Sequence, residues 1–212
     1  MKALTTIISI VVGAIVMPSL GQITRPDPVR FVLEKGSSIW IEGTSTISRF
    51  KCESAYVQGY GILYNEQDPS ADLGIEAEIA APVKLFDCNL AAMNADFWDA
   101  LKSDQFPLIE YWVNDISIDS VSTTVSGTYA VRSSGRITIA GVKKRIEMEF
   151  VGRQIGPERF KLEGKTEMFM SDFDIKPPTA LFGLVRAQNR ITVHFNLITT
   201  TQSIKARIKE IR

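Results

Sequence analysis

The chain has 212 residues, 45% of them hydrophobic, with 24 basic and 24 acidic side chains and one histidine. That balance lacks the basic excess of a nucleic-acid binder, so no nucleic-acid partner is expected. A lone histidine offers little for imidazole catalysis, and two cysteines allow a single intrachain bridge.

Met1-Lys2 gives a positive start, Leu4 to Val16 is a mostly apolar run, and Met17-Pro18 breaks it. Ser19 and Gly21 place small residues at the −3 and −1 positions of a cleavage after Gly21. This layout predicts a secretory signal peptide over residues 1–21. The run is shorter than the roughly 20 residues that span a bilayer, and no cysteine follows it to carry a lipid anchor. Residues 22–203 then form one domain with a sizeable core, in an exported protein that is periplasmic or secreted. In that compartment Cys52 and Cys88 are expected to pair, with two buried free thiols as the alternative. The chain-entropy model assigns about 3–4 kcal/mol to such a bridge.

Period-two alternation dominates the chain beyond this leader and predicts strands with one apolar face. Ile39 and Ile41 alternate with Trp40 and Glu42; Leu73, Ile75, Ala77 and Ile79 alternate with Gly74, Glu76 and Glu78. Ile146, Met148 and Phe150 alternate with charged residues, as do Phe160, Leu162, Met168 and Met170 for the most part. Ile191, Val193, Phe195 and Leu197 close the series. Glu34 to Ser38, Gln67 to Ser70, Ser133-Ser134-Gly135 and Gly152 to Glu158 carry the residues of hairpin loops. One stretch differs: Ala91 to Ser103, with Phe97, Ala100 and Leu101 at helical spacing and Asn94 or Asp96 near its start, predicts a short helix. Many strands with short turns predict an all-β meander closed as an antiparallel barrel or folded as a sandwich. In the tail, residues 204–212, Ile204, Ile208 and Ile211 share one helical face with Lys205, Arg207, Lys209 and Arg212 mainly on the others. A transient membrane-surface contact is one reading of this segment; a frayed or packed terminus is the plainer one.

Chemistry-bearing constellations are sparse. His194 sits on the opposite strand face from Val193 and Phe195, and no cluster of His, Cys, Asp or Glu has metal-ligand spacing. Asp172 and Asp174 flank Phe173 near Pro177-Pro178 and read as a turn rather than an acid–base pair. Lys143-Lys144-Arg145 after Gly141 reads as a solvated hairpin turn, with a phosphate head group as its functional alternative. No catalytic or metal-binding residue is assigned, and an enzyme is not expected. The apolar face is what remains. A closed barrel sends it to one interior, which side chains fill or which holds a small ligand. Ile41, Ile79, Ile139, Met148, Phe150, Leu162, Met168, Val193 and Phe195 are the candidate cavity-lining residues, with methionines suited to irregular apolar partners.

Three segments together resemble the YceI-like family of lipocalin-like barrels. The first is Ile-Trp-Ile-Glu-Gly-Thr-Ser-Thr-Ile-Ser-Arg-Phe, Ile39 to Phe50. Met93-Asn94, Ala100-Leu101-Lys102 and Phe106-Pro107-Leu108-Ile109-Glu110-Tyr111 follow. The last is Gly135 to Val142, with Ser171-Asp172-Phe173-Asp174-Ile175-Lys176-Pro177-Pro178 and Gly183. Asp174 stands where the family commonly has glycine. The resemblance implies an elongated eight-stranded antiparallel barrel with one short helix and a long apolar cavity. It implies a polyisoprenoid or other long-chain lipid as ligand, such as an isoprenoid quinone or polyprenyl chain, and no other cofactor. A packed barrel serving as an envelope stress or interaction protein is the alternative. The oligomeric state, homodimer included, stays open.

Overall fold

The computed structural model describes residues 28–65, 73–120, 127–180, 182 and 184–203. The strands are β1 (Val29–Leu33), β2 (Ser38–Ser45), β3 (Arg49–Ser54), β4 (Gln58–Asn65), β5 (Leu73–Pro82), β6 (Leu108–Ser120), β7 (Thr128–Ile139), β8 (Val142–Gly156), β9 (Arg159–Phe169), β10 (Thr179–Ala180) and β11 (Val185–Ser203). One helix, α1 (Ala91–Ala100), interrupts them between β5 and β6. Hydrogen bonds link the antiparallel strands in the order β1-β4-β5-β6-β7-β8-β9-β11, and β11 returns to β1. Further along, β11 pairs with β2 and β2 with β3. β1 with β2, and β3 with β4, are therefore each one bent strand, and the barrel has eight staves. β8 pairs with β7 along most of its length but with β9 only over Phe150–Gly156.

Glu34 to Ser38 is accordingly not the hairpin loop its composition suggests. It is a bend within one stave, because β1 and β2 both pair with β11. Gly36 turns the chain at φ 96°. Ser37, almost fully buried, accepts a hydrogen bond from the Ile198 amide at 2.9 Å and donates one to the Ile198 carbonyl at 3.3 Å. Its hydroxyl thus replaces the ladder bonds that the bend removes. Arg159 clasps Glu34 with Nε and a terminal nitrogen, at 3.1 and 2.7 Å, and Thr200 donates to the same carboxylate.

Two further turn assignments fall inside strands. Ser133-Ser134-Gly135 lies within β7, and Gly152 to Gly156 lies within β8, which turns only at Pro157-Glu158. Gly135 is there for proximity: a Cβ would stand 2.1 Å from the Trp112 carbonyl oxygen and 2.9 Å from the Tyr111 ring. Gln67 to Ser70, the signal-peptide reading over 1–21 and the tail over 204–212 all lie outside the described residues. The helix ends at Ala100 rather than Ser103, and Leu90, not Asn94 or Asp96, is its N-cap residue, with no side-chain cap. Asn94 serves the preceding loop instead, accepting from the Cys88 amide at 2.6 Å and donating to Asp87 at 3.1 Å. That bond and the Asn89 amide hold the exposed Asp87 carboxyl below its ordinary pKa.

The hairpin connections alternate between the two ends of the barrel. At one end lie the β2–β3 turn, the β5–β6 connection with α1, the β7–β8 turn at Ala140-Gly141, and the β9–β11 connection. At the other lie the β8–β9 turn, the start of β1 and the end of β11. The buried core residues alternate along every long strand and face the shared lumen.

Candidate functional site

A cavity of about 230 Å³ occupies the end of the lumen that carries α1. Ile39 and Ile41 of β2, Phe50 and Cys52 of β3, and Ile137 and Ile139 of β7 form part of its wall. Ile191, Val193 and Phe195 of β11, the strand bonded to β2, and Met168 of β9 continue that wall, and Met93, Phe97, Ala100 and Leu101 of the helix side cover it. These positions converge because the alternating apolar faces of β2, β7, β9 and β11 meet there while the helical stripe packs across the gap.

Polar groups are few and lie at the rim. Ser45, Ser48, Asp96 and Thr179 are the polar side chains in the lining, and Ser48, Asp96 and Thr179 are exposed. They mark the mouth. Deeper in, the wall offers almost nothing to hydrogen-bond. A water needs two to four polar partners to be held in such a space, so the chemistry the cavity favours is burial of an apolar chain.

Of the nine candidate lining residues, Ile41, Ile139, Met168, Val193 and Phe195 border the cavity. Ile79, Met148, Phe150 and Leu162 do not. They also turn inward, but they occupy the part of the lumen beyond the cavity, where side chains meet across glycines. Phe150 packs near Gly164, Leu162 near Gly152, and the Phe31 ring over Gly61. Phe150 and Phe195 have ring centroids 5.7 Å apart, at the border between the filled and open parts. Tyr111 also lies in this filled layer, and its hydroxyl is 3.1 Å from the Ser133 hydroxyl. Burial pushes the Tyr111 phenol above its ordinary pKa, partly opposed by that hydrogen bond and assisted by the charge of Glu147.

Strand alternation did not reveal Phe86, Phe173 or Ile175 as cavity residues, because none lies in a regular strand. Phe173 ends the short 3₁₀ turn Met170–Phe173, and Asp174 follows at φ 54°. That left-handed backbone gives a physical reason for the glycine common at this place, and aspartate tolerates it better than most residues. The turn separates Asp172 from Asp174, and no strand face unites them.

Cys52 and Cys88 form a disulfide. Both are buried, and Cys52 lines the cavity. Beside the bridge, Glu53 and Asp87 exchange backbone hydrogen bonds at 2.9 and 2.8 Å. This corner ties β3 to the chain after β5, where β5 itself has turned away at Pro82. His194 lies on the outer wall, stacked on Trp40 at 4.8 Å between ring centroids. Its Nε2 is 3.2 Å from a Glu42 carboxylate oxygen, within ion-pair reach, yet lacks the alignment of a hydrogen bond. Among the described residues no group of three or more His, Cys, Asp or Glu side chains is placed to hold a metal ion.

An eight-stave antiparallel barrel with one covering helix and an apolar lumen defines a lipocalin-like binding barrel as the class. The sequence matches the YceI-like domain over residues 32–198, and the chain belongs to that family. Its fold is similar to that of solved structures, two of which follow. One, from Burkholderia cenocepacia, is described as BcnA; it is 14% identical with a TM-score of 0.59, covering 78% of this chain and 98% of its own. The other is described as a polyisoprenoid binding domain from Saccharophagus degradans implicated in plant cell wall breakdown. It is 12% identical with a TM-score of 0.60, covering 81% of this chain and 98% of its own. No curated protein sequence matches the chain.

Proposed function

We propose that this protein binds a long apolar lipid, of the polyisoprenoid class, with part of the chain held in the cavity, and that it does so as an exported carrier in the cell envelope. The observation that carries the reading is the cavity itself, walled by aliphatic, aromatic and thioether side chains, with its polar residues at the mouth. Each methylene buried there contributes about 0.8 kcal/mol, offset in part by the freedom the ligand loses. Met93, Met168 and Met170 supply an adaptable wall. The description of the Saccharophagus degradans structure agrees with this ligand class, and YceI-like membership agrees with binding rather than catalysis. Export is supported by the signal-peptide pattern of residues 1–21 and by the Cys52–Cys88 bridge, which suits an oxidising compartment.

The side chains that fill the rest of the lumen favour a second reading, a barrel whose interior is structural and whose role lies in protein contacts. Solvent extraction of the purified protein followed by mass spectrometry separates the two. A stoichiometric long-chain lipid is expected. Protein that carries no lipid and takes up none from a polyprenyl alcohol suspension would establish the second reading instead.

A further inference from the structure

The mouth of the cavity carries apolar side chains that nothing among the described residues covers. Ile47, at the β2–β3 turn, is 73% exposed; Leu184 is 78% exposed and Phe182 wholly so. These residues belong to one surface. The Thr46 amide donates to the Arg186 carbonyl at 3.0 Å, and the Thr46 hydroxyl donates to the Leu184 carbonyl at 3.3 Å. The same two segments border the cavity through Ser45, Ser48 and Val185. Phe182 holds φ at 55°, a backbone region that bulky residues rarely adopt, while its ring contacts only solvent.

Cations flank these residues. Arg49 follows Ile47 by two positions and Arg186 follows Leu184 by two, both exposed. Lys143, Lys144 and Arg145, also exposed, follow the β7–β8 turn at the same end of the barrel, just beyond the cavity residues Ile137 and Ile139. The acidic groups of this end, Asp87, Asp96, Asp99 and Asp104 of the β5–β6 connection (Asp104 paired with Lys84) with Asp172 and Asp174, belong to other segments than Ile47 and Leu184. Apolar side chains interleaved with arginine and lysine suit the boundary between lipid head groups and acyl chains.

We propose that this end of the barrel docks on an anionic bilayer. Ile47, Phe182 and Leu184 enter the acyl boundary, and Arg49, Arg186 and the Lys143–Arg145 run hold head-group phosphates. A lipid then passes between bilayer and cavity without its chain crossing water. The proposal rests on the lipid-binding reading for its purpose, while docking itself is measured separately. β11 ends at the opposite end of the barrel.

Flotation of the mature full-length protein with vesicles tests it, using phosphatidylcholine alone and phosphatidylcholine mixed with phosphatidylglycerol. The wild type is expected to float with the mixed vesicles, and less so as salt rises. The combined Ile47→Ser, Phe182→Ser and Leu184→Ser variant should bind at least about tenfold more weakly, since even one such side chain is worth about that factor. Arg49→Gln with Arg186→Gln, which leaves the apolar residues in place, should lose most of the preference for phosphatidylglycerol. Both variants should retain any lipid loaded from a polyprenyl alcohol suspension, because neither alters the inner wall. Equal flotation of wild type and triple serine variant overturns the proposal. So does a wild-type dimer that the triple variant converts to monomer, which would assign the surface to a second copy of the chain. Absence of any loaded lipid would defeat the carrier reading and leave the flotation result standing on its own.

Discussion

Tyr111 shows how a single residue sets the limit of the cavity. Its ring fills the lumen only because Gly135 on the neighbouring strand has no Cβ. Its hydroxyl, buried with the ring, is satisfied by Ser133 rather than left to open a route for water. Burial favours the neutral phenol, so its folded pKa is raised. The stabilisation linked to that shift is fully present below the unfolded phenol value of about 10 and is lost as pH rises through the higher folded value. Melting temperatures followed from about pH 8 to about pH 11 should therefore fall more steeply in the wild type than in Tyr111→Phe. At neutral pH the phenylalanine variant should be less stable by about 1 kcal/mol, the ordinary worth of a hydrogen bond. Parallel pH profiles would mean that the phenol ionises as readily in the folded barrel as in the unfolded chain.

At the scale of the element, the regular strands were legible and the exceptions have local causes. β2, β5, β8 and β11 announce themselves because a half-buried strand must alternate, and their apolar residues turn inward as the alternation requires. Glycine and serine misled where they serve packing rather than turning: Gly135 and Ser133 admit Tyr111, and Gly152 faces Leu162. The bend at Glu34 to Ser38 was illegible for a different reason. Its meaning depends on Ile198, 161 residues away from Ser37, and no local pattern reports such a partner. The corner at Cys52 and Cys88 joins these two kinds of information, since the cysteines are visible in sequence but their task, holding β3 where β5 departs, is not. Alkylation of the native protein should label neither thiol without reductant. Replacing both by alanine should cost about 3 kcal/mol and leave the strand signal in circular dichroism unchanged. Two thiols labelled in the unreduced protein would show that no bridge forms.

For the whole molecule, the decisive feature is that one lumen is divided into a filled part and an open cavity. The apolar face of every long strand points inward, so sequence alone assigned all nine candidate residues to one shared lining. What divides them is side-chain volume across the barrel. Large residues opposite glycines close one part, whereas Met168, Val193 and Ile139 stand where α1, rather than another strand, completes the wall. Two methionines test this division. Met168 borders the cavity and Met148, equally buried, lies in the filled part. Met168→Trp has free volume to enter, so stability should change little while bound lipid falls at least about tenfold, an order consistent with losing a few buried methylenes. Met148→Trp has none, and overpacking should cost about 1–3 kcal/mol with the lipid still present at low temperature. The paired measurement is thermal unfolding beside lipid mass per mole of protein. If both variants lost stability equally and neither lost lipid, the ligand would lie outside this cavity, and the division of the lumen would have no bearing on binding.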